Sequence, residues 1–209
     1  MSDVDFFFDP VCPWAWTTSR WVEEVAQARG LEVDWRFISL RIVNEDRDYE
    51  TDFPPGYPEI HGLGLRLLRV AAAARAEGGN AAVGRLYGTL GRIIHSERRR
   101  PEAGRAEVVA GALQQAGVPD TLSAALDDAG YDTVVRAETS LALERAGREV
   151  GTPIINFGPP DGPSFFGPVI ARLPHGQEAV ELWEAVERLA HFQGFAELKR
   201  SLRDPLQVP

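Results

Sequence analysis

Cys12 is the only cysteine among 209 residues, and it sits in Phe6-Phe7-Phe8-Asp9-Pro10-Val11-Cys12-Pro13-Trp14-Ala15-Trp16. A short apolar run breaks at Asp9-Pro10, and a thiol is followed at once by proline and a helical pattern. Proline is favoured at the first helical position, which puts Cys12 at or beside the helix N-cap. Unpaired backbone N–H groups and the positive end of the helix dipole favour the thiolate there. Such sulfurs titrate at pH ~3.5–7.5 instead of ~8.5. The chemistry expected is nucleophilic attack by sulfur. The plain alternative is a buried thiol serving as a small hydrophobe.

A second group stands far along the chain. Thr152-Pro153 falls just before a strand signal, Ile154-Ile155-Asn156-Phe157, and after Gly151. A strand-start proline with this glycine, the upstream Cys-Pro and a following hairpin points to a cis peptide bond. That would leave the Thr152 backbone free to pair with an extended thiol ligand docked on Cys12.

The elements that must position these groups can be read from periodicity. Val4–Phe8 reads as a buried strand, Pro13 to about Arg29 as a helix stopped by Gly30, and Leu31–Ile38 as a half-buried alternating strand. Together they make one βαβ unit with parallel strands and a right-handed crossover. Residues 42–57 are polar and proline-rich and read as a loop. From Leu63 to about Arg148 the pattern is helical, in five stretches. The first two are the stripes Leu63–Ala74 and Val83–Ile94, and the last carries Val134, Ala137, Leu141 and Ala142. Strand signals return after Gly151: two short runs around Gly158-Pro159-Pro160-Asp161-Gly162 make an antiparallel hairpin. A final amphipathic helix holds Leu182, Trp183, Val186 and Leu189. The division expected is residues 1–41 with 149–209 as one α/β domain, and 42–148 as an inserted loop and helical subdomain.

Composition narrows the function. A net charge of −9 argues against general nucleic-acid binding. Arg98-Arg99-Arg100 is the single basic run, and a solvated helix end explains it about as well as an anion site. No stretch approaches the ~20 apolar residues that span a bilayer. The acidic start leads directly into a strand, which does not resemble a signal peptide. A lone cysteine forms no internal disulfide, so a reducing cytoplasm is expected. His61, His175 and His191 share no ligand spacing with Cys12, and no metal site is indicated. Gly62-Leu63-Gly64 follows no strand, so no nucleotide fingerprint exists.

The motif from Phe6 to Trp14, the helical insertion, Val150-Gly151-Thr152-Pro153 and Phe165-Phe166-Gly167-Pro168 together resemble the DsbA-like thioredoxin superfamily. More narrowly, the chain resembles the actinobacterial mycothiol-dependent oxidoreductase and nitroreductase group. That likeness extends to Thr17–Trp21, Asn44–Asp48, Ile94-His95 and Phe195–Arg200. It implies a thioredoxin-like α/β fold (βαβ plus ββα) with an all-helical DsbA-type insertion. It also implies a cytoplasmic enzyme using mycothiol as thiol cosubstrate, and a pocket lined by Cys12, Trp14, Asn44 and His95, with Pro13, Thr152 and Pro153 beside the sulfur. His95 would point at Cys12 to steady the thiolate or donate a proton; a surface or capping histidine is the alternative. Asn44 would bond ligand; a turn asparagine is the alternative. Trp14 would form a flat wall beside the sulfur, while Trp16, Trp21, Trp35 and Trp183 belong to the core.

Two-cysteine members of the group carry Cys-Pro-Trp-Cys, whereas this chain has Ala15 at the second position. An external thiol must then resolve Cys12, which turns a dithiol scheme into a monothiol one. The expected partners are a low-molecular-weight thiol and a small electrophilic, nitro or disulfide substrate. The aromatic C-terminal tail leaves a homodimer open. Two rivals stand beside the oxidoreductase: a thiol transferase or isomerase without net redox change, and a non-catalytic thiol-binding module.

Overall fold

The computed structural model describes residues 2–209. Strand β1 (Val4–Phe8) is buried along its whole length, because it pairs on both edges. On one side it runs parallel to β2 (Val33–Phe37), with Phe6 opposite Trp35. On the other it runs antiparallel to β3 (Ile154–Phe157), which pairs antiparallel with β4 (Ser164–Phe166). The sheet order is β2-β1-β3-β4. A four-stranded mixed sheet with helix α1 (Pro13–Arg29) crossing between β1 and β2 is the thioredoxin-like arrangement. Gly30 closes α1 in the left-handed conformation, where glycine has no Cβ to clash.

Every helix between β2 and β3 belongs to one long excursion. It starts with two short turns, α2 (Leu40–Val43) and α3 (Tyr49–Asp52), in the stretch expected to be loop. Asp48 caps α3 by accepting the Glu50 N–H, which lets a proline-flanked segment close one helical turn. The two apolar stripes expected as separate helices run along one element, α4 (Tyr57–Gly91), interrupted at Gly79, with Ile93 and Ile94 in the turn beyond it. Pro58 sits in its first turn, where the missing N–H costs nothing. A π-helical turn, Arg92–Ser96, follows directly. Helix α5 (Ala106–Ala116) ends at left-handed Gly117, and a 3₁₀ stretch covers Asp120–Asp127.

Helix α6 (Asp132–Ala146) departs from the apolar stripe read from its sequence. Val134 is exposed, and the buried face holds Val135, Glu138, Thr139 and Ala142. The polar members satisfy an edge. Strand β2 is the edge strand on this side, and its outward N–H groups would otherwise be orphaned. Glu138 accepts the Phe37 N–H at 2.9 Å and pairs with Arg75 at 2.7 Å. Asn80 of α4 accepts the Trp35 N–H at 2.7 Å and donates to the Val33 carbonyl at 2.6 Å. Two side chains thus dock the helical excursion on the sheet as a further strand would. Helix α7 (Gln177–Ala190) packs Trp183 against Trp21 of α1, ring centroids 5.4 Å apart.

Candidate active site

Cys12 is the N-cap of α1 and Pro13 its first residue. The Ala15 N–H donates to Sγ at 3.4 Å, one of the orphan donors of the first turn. On its other side the Cys12 S–H points at the Thr152 carbonyl, 3.5 Å away. Residues 140 positions apart in sequence therefore meet at one sulfur. Thr152 is fixed by its hydroxyl, which donates to the Phe7 carbonyl at 3.1 Å. The Thr152–Pro153 bond is cis, as are Pro159–Pro160 and Gly167–Pro168. The Gly167 N–H bonds the Pro153 carbonyl, and Thr18 of α1 bonds the Pro168 carbonyl. Two cis-proline loops thus close against the start of α1. Trp14 is half-buried beside the sulfur, while Trp16, Trp21, Trp35 and Trp183 are core.

The electrostatics differ from the sequence expectation. Cys12 is only 7% exposed, and burial pushes its thiol up to about 12. The Ala15 and Trp14 N–H groups pull the other way, and the Asp9 carboxylate adds to the rise. At rest, desolvation outweighs the helix terminus, and the sulfur is a masked thiol rather than a standing thiolate.

His95 hydrogen-bonds the backbone beside Cys12. Its ring lies in the π-helical turn, stacked on Trp16 at 6.1 Å, and Nε2–H donates to the Pro10 carbonyl at 2.9 Å. Burial holds the imidazole down at about 4, so it is neutral at physiological pH and steadies no thiolate by charge. Its contact instead fixes the turn two residues before the sulfur. The Asn44 Nδ2 donates to the Leu40 carbonyl at 2.8 Å and closes α2. The structure brings together Cys12, Pro13, Trp14, Thr152 and Pro153, and sets His95 and Asn44 in supporting turns.

Asp9 was not singled out as a functional residue in the sequence. It is fully buried, its Oδ1 accepting the Val11 N–H at 3.1 Å and Oδ2 the Leu40 N–H at 2.8 Å. One carboxyl thus ties the Cys12 turn to the start of α2. Burial lifts it to about 7, against the pull of both N–H groups. Helix α4 comes so close that a Cβ on Gly64 would meet Oδ1 at 2.4 Å. The available signal was an acid placed between an all-apolar strand and Pro10.

The His191 Nδ1 bonds the Glu187 carbonyl at 2.9 Å. His61 Nδ1 meets the Tyr49 hydroxyl at 3.0 Å, and His175 pairs with Glu24. Among the described residues no group of three or more His, Cys, Asp and Glu is placed to hold a metal. No helix among them is long and apolar enough to cross a membrane.

The sequence model of the Rv2466c-like family, described as mycothiol-dependent nitroreductase Rv2466c, matches residues 11–200. The chain belongs to this family. It is 32% identical over 205 residues to the uncharacterized protein Rv2286c of Mycobacterium tuberculosis, covering 96% of this chain and 82% of that protein. Among solved structures it resembles the probable DsbA oxidoreductase SCO1869 of Streptomyces coelicolor. The TM-score is 0.59 at 16% identity, over 98% of this chain and 94% of the other. It also resembles a 2-hydroxychromene-2-carboxylate isomerase, with a TM-score of 0.58 at 18% identity, over 89% of this chain and 95% of the other. The DsbA-like thioredoxin fold is thereby shown.

Proposed function

We propose that the protein is a cytoplasmic thiol-dependent oxidoreductase in which Cys12 works by a monothiol mechanism with mycothiol. One observation carries the reading: Cys12 caps α1 against the Thr152 carbonyl, while the position that would hold a resolving sulfur is buried Ala15. Membership of a family described as mycothiol-dependent nitroreductase supports the choice of thiol. The donor set fits a thiol ligand. Sγ lies between backbone groups, and half-buried Trp14 offers an apolar face beside it.

In this scheme Cys12 gives its proton to solvent and attacks the mycothiol sulfur of a substrate–mycothiol mixed disulfide. A new S–S bond forms to Cys12, and the substrate thiolate leaves with the electron pair of the broken bond. A second thiol molecule then attacks the Cys12 disulfide and releases Cys12, giving an oxidised thiol dimer and one reduced substrate thiol. Electrophilic and nitro substrates draw their electrons from the same thiol pool. The Ala15 N–H steadies the thiolate at both stages.

A second reading, a non-catalytic thiol-binding module, is favoured by the raised Cys12 thiol. A third, a thiol-using isomerase, is favoured by the isomerase among the structural relatives. One experiment separates all three. The chain and Cys12→Ser are incubated with mycothiol and a panel of mixed disulfides and nitroaromatics, and the thiol, its disulfide and the products are counted. Oxidised mycothiol formed in step with reduced substrate, and lost in Cys12→Ser, is the expected result. Thiol added to an electrophile without oxidised mycothiol selects the transferase or isomerase, and no change in substrate or thiol selects the binding module.

A further inference from the structure

After α7 the C-terminal segment returns to the start of α1. It carries no regular secondary structure, yet three contacts fix its course. The Gln207 N–H donates to the Ala171 carbonyl at 2.7 Å, on the side of the Gly167–Pro168 loop. The Arg203 guanidinium lies 5.5 Å above the Trp14 ring. The Pro209 carbonyl takes the hydroxyl hydrogen bond of Ser96, next to His95. Arg203 therefore lies over Trp14, Gln207 on the cis-proline side and Pro209 next to His95, and the ring covered belongs to the residue two after Cys12.

We propose that residues 201–209 form a strap over the Cys12 site that must lift before a ligand reaches the sulfur. This rests on the reading that Cys12 is where ligands dock. The attachments suit a removable cover. They are one cation–π contact, two hydrogen bonds and the partly buried Leu206, while Leu202 is left exposed. Contacts of this kind give a minor open state populated at roughly 0.1–10%. Arg203 and an incoming ligand would compete for the same face of Trp14.

The test is the rate at which Cys12 is alkylated by iodoacetamide, a small neutral reagent, followed by intact mass. It compares the full chain, a chain ending at Arg200, and the full-length double variant Arg203→Ala with Ser96→Ala. Removing the strap is expected to raise the rate by about tenfold or more, since access no longer waits on the open state. The double variant is expected to fall between. An unchanged rate in the shortened chain, with its near-ultraviolet dichroism intact, overturns the strap. If the shortened chain does not fold, the double variant decides: a rate equal to the full chain's overturns the proposal. Iodoacetamide requires no thiol specificity. An unchanged alkylation rate alongside mycothiol-dependent turnover would therefore overturn the strap and leave the oxidoreductase standing, and the converse would do the opposite.

Discussion

The Cys12 thiol and the Thr152 carbonyl face each other at 3.5 Å, the one at the head of α1 and the other at the cis-proline loop before β3. This contact joins the two halves of the fold at the atom proposed to react, and burial there favours the protonated sulfur. In the intact chain the alkylation midpoint is expected well above the ~8.5 of a free thiol. The same burial has a signature in stability. The folded chain keeps the Cys12 proton up to about 12, whereas the unfolded chain releases it near 9.0. Between those values the folded state binds more protons, so stability falls as pH rises, by up to about 1.4 kcal/mol per pH unit. Denaturant melts from pH 9 to 11 should show this slope in the parent and a flatter one in Cys12→Ala. Equal slopes would refute the masked thiol.

Asp9 acts on the same sulfur by charge. Its ionised form opposes a thiolate on Cys12, and the buried Tyr87 hydroxyl of α4 also feels both groups. The neutral His95 ring bonds Pro10 beside them, and among the described residues no cation pairs with Asp9. Asp9→Asn should therefore move the Cys12 alkylation midpoint to lower pH. An amide cannot accept both the Val11 and Leu40 N–H bonds through oxygen, so a cost of about 1–3 kcal/mol in stability is expected as well. A midpoint that stays put or rises would remove Asp9 from the electrostatics of the site.

Much of this arrangement was legible in the residues. The five-residue strand, the Cys-Pro helix start, the Gly30 stop and the late hairpin were all carried by local signals that tertiary packing did not override. Polar burial was the hard part. Glu138 and Thr139 lie outside the apolar positions read for that helix, yet they are buried because the edge strand and the turn after it need acceptors that their own sequence does not show. Asp9 was hidden for the same reason, since its partner Leu40 lies 31 residues on. The Cys12 shift was misjudged because helix ends are local, whereas desolvation depends on everything folded over them.

Ala15 offers a direct probe of the monothiol scheme. It is fully buried, and its N–H already touches Sγ, so a sulfur placed there lies next to Cys12 in a Cys-X-X-Cys spacing. In Ala15→Cys, treatment with a disulfide is expected to end in an internal bond, seen as a loss of two hydrogens. The parent should end in a retained adduct. A retained adduct in both would show that the two positions cannot bridge, and that Ala15 does not set the scheme.

The most direct test is intact mass spectrometry after exposure to mycothiol disulfide, with glutathione disulfide in parallel and Cys12→Ser as control. One mycothiol half added to Cys12, absent in the serine variant and weaker with glutathione, is the predicted result. It would establish the nucleophile, the cosubstrate and the single-sulfur scheme together. No adduct from mycothiol disulfide, even with residues 201–209 removed, would contradict the account, because the sulfur would then be a structural thiol at a helix start.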